Sequence, residues 1–246
     1  MDRGIFRIRK MKRISLIVSV GLLMAAMLLV SCDAGIVGNG DVQTRTKTID
    51  NFDRLEIDGN FNVFLDQTGK AGLRIEADEN IMDVIKVYES GNKLEIRSEV
   101  NILRAKKKDL YINIDDLKKL ELSGAIEIRS EGRLSFRTLD IDGSGAIDMN
   151  LDVEADMLKI DISGAADFDL KGKVEDAELI ISGAGGFDLI DLETEKMNIE
   201  ISGAAHARVY VTEDLRVEIS GAGAVRYKGH PDITKDVSGI GSLKKY

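Results

Sequence analysis

Short stretches of alternating apolar and polar residues dominate the chain after about residue 47. In the second half, apolar residues stand one, three and five positions before a recurring Ser-Gly-Ala, as do Ile162, Ile160 and Leu158. They return five and seven positions after it, as do Phe168 and Leu170. A period of two indicates strands with one buried face. Each repeat is therefore predicted to consist of two short strands joined by a bend.

The bend motif occurs seven times at nearly constant spacing. Its copies begin at Ser123, Ser144, Ser163, Ser182, Ser202, Ser220 and Ser238, the last altered to Ser-Gly-Ile. The steps between these serines are 21, 19, 19, 20, 18 and 18 residues. Repeats of this length indicate a solenoid, because each unit buries its apolar face only by stacking on its neighbours.

The repeats contain no helical segment, which favours an all-β solenoid over a leucine-rich or ankyrin array. We predict a right-handed parallel β-helix-like solenoid of about seven 18–21-residue repeats, the hand following from the usual crossover preference. The motif glycine is expected to adopt backbone angles closed to other residues, and its small neighbours to stack at the bend. Residues 117–246 form this array in the prediction.

Residues 47–116 are predicted to be a β-rich cap at one end of the stack. Alternation indicates strands around Leu55–Ile57, Asn62–Leu65, Leu73–Ile75, Leu94–Ile96 and Leu110–Ile114, with a hairpin or a bend at Gly59. Asp78 is a candidate N-cap for a short helix over residues 78–85. The basic run Arg104, Lys106, Lys107 and Lys108 has two interpretations: a phosphate or glycan patch, or a solvated loop, which we favour.

Residues 1–32 have the pattern of a bacterial targeting segment. Six basic residues precede an apolar run from Ile14 to Val30, which is short for a membrane span. Leu29-Val30-Ser31-Cys32 resembles a lipobox, and Cys32 is the only cysteine in the chain. We therefore predict a lipoprotein signal peptide over 1–32, lipidation at Cys32 and a flexible tether over 33–46. A plain secretory signal and a membrane-spanning helix are the alternatives, and either Met1 or Met11 is the start.

The charge argues against a nucleic-acid partner. The 246-residue chain carries a formal charge of −9, and removing residues 1–32 would take away six positive charges and one negative, leaving about −14. Nucleic-acid binding favours a basic face. A single cysteine also leaves no disulfide framework within the chain.

Two columns of polar residues follow the repeat. Two positions before each Ser stand six acids and one isoleucine; the acids are Glu121, Asp142, Asp161, Glu200, Glu218 and Asp236. Stacked like charges need counter-charges, which Lys119, Lys159 and Arg216 could supply. A soluble outer face is the favoured interpretation of this acidic ladder, and cation binding the alternative; no other metal site is predicted.

The second column lies six positions after each Ser and changes sign along the array. Its members are Arg129, Asn150, Asp169, Asp188, Arg208 and Arg226. A saccharide or protein contact and an internally neutralised face are both consistent with it.

Signals for catalysis are weak. His206 and His230 are the only histidines, no nucleophile elbow or phosphate loop is present, and no cofactor motif is found. Asp167 with Asp169, or Asp169 with Asp188, imitates the acid pair of a glycosidase or lyase on a β-helix. We predict that the protein is not an enzyme, with a carbohydrate-active enzyme as the remaining alternative.

Several segments resemble the family known as putative auto-transporter adhesin, head GIN domain, common among Bacteroidetes envelope proteins. The resemblance is carried by Asn51–Ile57, Gly59–Leu65, Glu79–Ile81, the Ser-Gly-Ala copies, Gly229–Pro231 and Ser238–Ser242. It covers residues 47–246 and implies a β-helix-like fold outside the cytoplasm. It brings no catalytic residues.

These observations together predict a lipid-anchored binding or structural protein of the cell envelope, at the outer membrane, on its surface or its periplasmic side. An adhesin with a glycan or protein ligand fits best. A periplasmic sensor or assembly partner is the alternative.

Overall fold

The computed structural model describes residues 35–246, and the predicted signal peptide lies outside them. The strands are β1 (Ile36–Val37), β2 (Val42–Lys47), β3 (Arg54–Asp66), β4 (Gly72–Asp78), β5 (Ile85–Ser90), β6 (Lys93–Ser98), β7 (Ile102–Arg104), β8 (Lys108–Asn113), β9 (Lys119–Ile162), β10 (Ala165–Ile181), β11 (Ala184–Ile201), β12 (Ala204–Ile219), β13 (Ala222–Lys228), β14 (Asp232–Val237) and β15 (Ile240–Lys245). The single helix within residues 35–246, α1 (Glu79–Met82), follows β4. No helix within residues 35–246 is long and apolar enough to cross a membrane.

The predicted all-β solenoid is confirmed. Strands β9 to β12 stack in parallel with equivalent residues aligned, as in Ala146, Ala165, Ala184 and Ala204. The stack has about five turns, fewer than the seven repeats predicted. After β12 the chain continues as three short strands, β13 to β15, in place of one long strand per turn. The right-handed sense of the coil stays a prediction.

The core is a set of apolar rows that run through the stack. Ile160, Leu179, Ile199 and Val217 align one above the other, and all four are buried. Alternate residues of the same strands point outward and are mostly polar. The period of two in the sequence therefore separates core from surface along every turn.

Strand β3 is a rung of the same ladder, which its sequence did not reveal. It runs unbroken through Gly59 and pairs in parallel with β9, so that Gly59 stands beneath Gly124 and Asp58 beneath Ser123. The hairpin alternative at Gly59 is wrong, because β3 continues in one direction through this residue. On its other edge β3 pairs with β6 and β8, also in parallel.

The cap is built by reversing strand direction. Strand β5 runs antiparallel to β6, and strand β4 runs antiparallel to β8. Strand β2 in turn pairs antiparallel with β4. Because β1 and β2 belong to the sheets, residues 36–46 of the predicted tether (33–46) are part of the folded unit, which begins at Ile36 rather than at residue 47.

The carboxylate of Asp78 explains why this N-terminal segment is ordered. Its oxygens accept hydrogen bonds from the backbone N–H groups of Gly40 (2.9 Å), Lys106 (3.2 Å) and Lys107 (3.0 Å). Asp78 precedes α1 as predicted, but its side chain makes no capping bond to that four-residue helix. It is a buried clamp between two loops of the cap.

Candidate functional site

One row of outward side chains runs along the main sheet from β2 through β4, β8 and β3 to the stacked turns and β15. The row extends the predicted column of mixed sign into the cap, and we call it the outer row. Its members are Thr46, Arg74, Tyr111, Phe64, Arg129, Asn150, Asp169, Asp188, Arg208, Arg226 and Lys244. The row is aromatic and basic at the cap, acidic in the middle and basic at the far end.

A groove of about 680 Å³ opens where the outer row crosses from the cap into the repeats. This cap groove is walled by β2, β4, β8 and β3, and Glu131 of β9 borders it. Its lining is Thr46, Lys47, Thr48, Phe64, Asp66, Lys70, Ala71, Gly72, Leu73, Arg74, Tyr111, Asn113 and Glu131. A volume of this order suits a small organic ligand.

Three planar groups are stacked along one wall of the cap groove. The rings of Phe64 and Tyr111 lie with centroids 4.8 Å apart and planes at 13°. Arg74 lies on the neighbouring strand β4, and its guanidinium carbon is 3.6 Å from the centroid of the Tyr111 ring. Cation–π and stacking contacts of this kind fix the side chains in place. The wall is therefore a rigid surface of mixed apolar and cationic character.

Some charged side chains of the cap groove form ion pairs within the described part of the chain, and others do not. Arg74 pairs with Glu76, and the ammonium of Lys47 lies 2.7 Å from a carboxylate oxygen of Glu89. Lys70 is exposed and forms no ion pair within residues 35–246. Asp66, Asn113 and Glu131 add hydrogen-bonding groups. The groove thus combines a free cation with polar groups and aromatic side chains.

A second groove, of about 340 Å³, lies over the middle of the outer row. This acidic groove brings together Asp148, Asp167, Asp169 and Asp188 with His206 and Arg208. Asp169 and Asp188 are register partners on neighbouring turns, as the acid-pair alternative requires. Asp188, however, is paired with Arg208, and Asp167 accepts a hydrogen bond from the Gly186 N–H (3.2 Å).

The acidic ladder is aligned from Asp161 through Glu200 and Glu218 to Asp236, with Ile180 interrupting it after Asp161. Lys119 sits among its first rungs, with its ammonium 2.8 Å from Asp142 and 3.9 Å from Glu121. The predicted partner Lys159 pairs instead with Glu178 (2.9 Å). Within residues 35–246 no group of three or more metal-ligating side chains is placed to hold an ion. Cation binding by the ladder remains an untested prediction.

Burial raises the pKa of Asp140 beside this ladder, and the neighbouring charge of Asp142 raises it further. Lys119 opposes the shift, since its ammonium lies 3.8 Å from the Asp140 carboxylate. The hydrogen bond between the Lys119 ammonium and Asp142 raises the pKa of Lys119. The lysine is therefore the counter-charge on which these first rungs depend.

The basic run of the cap divides into paired and unpaired members. Lys107 pairs with Asp109, and Lys108 donates to the amide oxygen of Asn60. Arg104 and Lys106 are exposed. The favoured solvated-loop interpretation thus holds for only part of the run. Cys32, the predicted lipidation site, lies outside the described residues.

Comparison with known proteins gives one family and several similar folds. A sequence model of the family "Putative auto-transporter adhesin, head GIN domain" matches residues 51–231. No curated protein matches the chain.

Three solved structures share the fold. A putative adhesin from Bacteroides fragilis is 23% identical, with a TM-score of 0.81 over 86% of this chain and 100% of that one. A putative adhesin from Parabacteroides merdae is 21% identical, with a TM-score of 0.60 over 87% and 100%. A protein from Parabacteroides distasonis described as a putative lipid binding protein is 22% identical, with a TM-score of 0.69 over 86% and 99%. At these identities the likeness concerns the fold.

Proposed function

Because the chain belongs to the putative auto-transporter adhesin, head GIN domain family, we propose that it is a lipid-anchored binding protein of the cell envelope. In this proposal Cys32 carries the lipid at the outer membrane, and the folded unit recognises a saccharide through the cap groove. The observation that carries the proposal is the stacked wall of Phe64, Tyr111 and Arg74 in the largest groove described.

The chemistry of the cap groove favours a saccharide with an acidic group. Sugar hydroxyls can donate to the carboxylates of Asp66 and Glu131 and pair with the amide of Asn113. Apolar C–H groups of a sugar can pack on the aromatic side chains, and a carboxylate of the sugar can pair with the ammonium of Lys70. A few placed polar groups around apolar walls are the usual composition of a ligand site.

Binding rather than catalysis is proposed for the acidic groove as well. Asp188 is paired with Arg208, and Asp167 accepts a hydrogen bond from the Gly186 N–H, so two carboxylates of this groove are already held in contacts within the protein. Incubation with a polysaccharide panel is expected to release no reducing sugar. Release that disappears in Asp169→Asn would establish the carbohydrate-active enzyme instead.

The ligand is tested with residues 33–246 on a glycan array, followed by calorimetry with the best hit. Lys70→Gln and Tyr111→Leu are expected to weaken binding at least tenfold, because they remove the free cation and the stacked ring. Arg226→Gln, on the outer row at the far end, is the matched control and should bind like the wild type. Equal affinities for all four proteins would contradict the assignment of the cap groove.

The anchor is tested separately in cells. Cys32→Ala is expected to abolish incorporation of labelled fatty acid and to move the protein from the membrane to the soluble fraction. Continued labelling would contradict lipidation at Cys32. Protease treatment of intact cells then separates a surface adhesin from the periplasmic alternative, because only a surface protein is released.

A further inference from the structure

The corner formed by β1 and β7 exposes apolar side chains. Leu103 is 56% exposed, Val37 49% and Val100 38%. The N–H of Ile36 donates to the Asn101 carbonyl (2.8 Å) and the N–H of Gly38 to that of Arg104 (2.7 Å). Two residues of β1 therefore span three of β7, and the bulge leaves Leu103 without a register partner. We call residues 36–38 and 100–106 the β1–β7 corner.

This corner is basic on a strongly acidic protein. Arg104 and Lys106 are exposed and form no ion pair within the described part of the chain. The nearby carboxylates already have partners: Asp78 accepts three backbone N–H groups, and Glu99 lies 3.4 Å from Lys86. Apolar and unpaired basic side chains therefore share one small surface.

Chain length brings this corner close to the proposed anchor. Only residues 33–35 separate Cys32 from Ile36. An extended chain spans at most about 3.6 Å per residue, so Ile36 lies within about 14 Å of Cys32. A bilayer that holds a lipid on Cys32 is therefore within reach of the first residues of β1.

We propose that the β1–β7 corner is a membrane-docking surface for a bilayer with anionic headgroups; the proposal rests on the lipid anchor at Cys32. Val37 and Leu103 enter the interfacial region, and Arg104 and Lys106 face the headgroups. Each basic residue near an anionic surface strengthens docking about fivefold. The remaining surface is acidic overall and is repelled, so docking also sets the orientation of the solenoid.

The chain has no tryptophan, so a single introduced one reports its own surroundings. The lipidated protein with Leu103→Trp is reconstituted into vesicles containing brominated phospholipid. Matched controls are Met157→Trp in the repeats and Ile240→Trp in the last turn, since both positions are exposed (51% and 87%). Fluorescence quenching is expected to be several-fold stronger in Leu103→Trp. Equal quenching in all three variants would overturn the proposal.

The charge is tested by adding Arg104→Ser and Lys106→Ser to the Leu103→Trp protein. Quenching should fall in anionic vesicles and stay unchanged in zwitterionic ones; no fall in anionic vesicles would overturn the basic contribution. If cells attach no lipid to Cys32, this only cysteine is coupled to a maleimide lipid and the measurements repeated. Selective quenching in that protein supports docking without the natural anchor, and uniform quenching rejects docking itself.

Discussion

The glycine of the bend motif has a physical role that differs from the one its sequence suggests. A Cβ on Gly183 would lie 1.7 Å from the carbonyl oxygen of Gly164 on the turn below, and other motif glycines meet the same obstacle. A left-handed φ is found at Gly124 and Gly145, with values of 100° and 105°, and not at Gly183. Close approach of stacked backbones, more than the backbone angle, excludes a side chain.

Gly183→Ala is therefore expected to destabilise the protein by about 1–3 kcal/mol, because backbone atoms on two turns must separate. Urea denaturation followed by circular dichroism measures the change. Ser182→Ala is the matched control, since this exposed neighbour should cost at most about 0.5 kcal/mol. Equal effects of the two substitutions would contradict the steric explanation.

Asp78 gives a second prediction at the residue scale. Burial alone would raise its pKa, but the N–H groups of Lys106, Gly40 and Lys107 outweigh burial and hold the pKa below the ordinary value of 3.8. The ionised carboxylate therefore stabilises the cap at neutral pH, and this stabilisation is lost as the pH falls through the lowered pKa.

Asp78→Asn is expected to accelerate hydrogen exchange at the amides of Gly40, Lys106 and Lys107 at pH 7. The difference from the wild type should shrink as the pH falls below 3.8 and through the lowered pKa of the folded chain, where the wild-type carboxylate becomes protonated as well. Asp156→Asn, an exposed carboxylate in the repeats, is the control and should change no cap amide. Unchanged exchange in Asp78→Asn would refute the clamp.

At the scale of strands, the last turn differs from those beneath it. The buried row through Ile199 and Val217 ends in Lys235 on β14, and the row through Val209 and Tyr227 ends in Lys245 on β15. Lysines in otherwise apolar rows discourage another strand from adding to an open sheet edge. The last turn is thus adapted to remain an edge.

Lys235→Val with Lys245→Val is expected to make the protein self-associate through that edge. Analytical ultracentrifugation over a range of concentrations measures the mass, which should rise in the double variant. Lys244→Val, on the outward side of β15, is the control and should leave the mass unchanged. A double variant that sediments like the wild type would show that the lysines have no such role.

The repeats were predictable from sequence because the Ser-Gly-Ala motif and the alternation of apolar and polar residues recur at nearly constant spacing. Each repeat therefore indicates the same pair of strands. The strand pairing of the cap was harder to predict, because β2 and β4 are separated in sequence and no repeated motif marks them as partners. Asp58-Gly59-Asn60 shares only its glycine with the motif, which concealed β3 as a rung. The cap groove was missed because Phe64, Arg74 and Tyr111 lie on three strands. The position of Phe64, six residues after Asp58, was the available signal.

At the scale of the whole molecule, the repeats are interchangeable units. Residues 163–181 align with the turns on both sides, so their deletion joins Ile162 to Ser182 and restores the stack with one turn fewer. We expect this variant to keep its β-sheet circular dichroism and to melt at a lower temperature, because one interface between turns is lost.

Deletion of residues 163–171 is the matched control. It removes half a turn and places outward residues in the core rows, so an unfolded or aggregated product is expected. Thermal melts and size-exclusion chromatography distinguish the two variants. Equal disruption by both deletions would contradict the independence of the turns.

The position of β2 has a mechanical consequence for an anchored protein that holds a ligand. β2 follows β1 directly along the chain from the Cys32 side, and its residues Thr46 and Lys47 line the cap groove. Tension between a ligand in that groove and an anchor at Cys32 therefore runs through residues 36–47 and their partners in the cap. The stacked turns, which a pull along the solenoid would peel away one at a time, lie outside this load path.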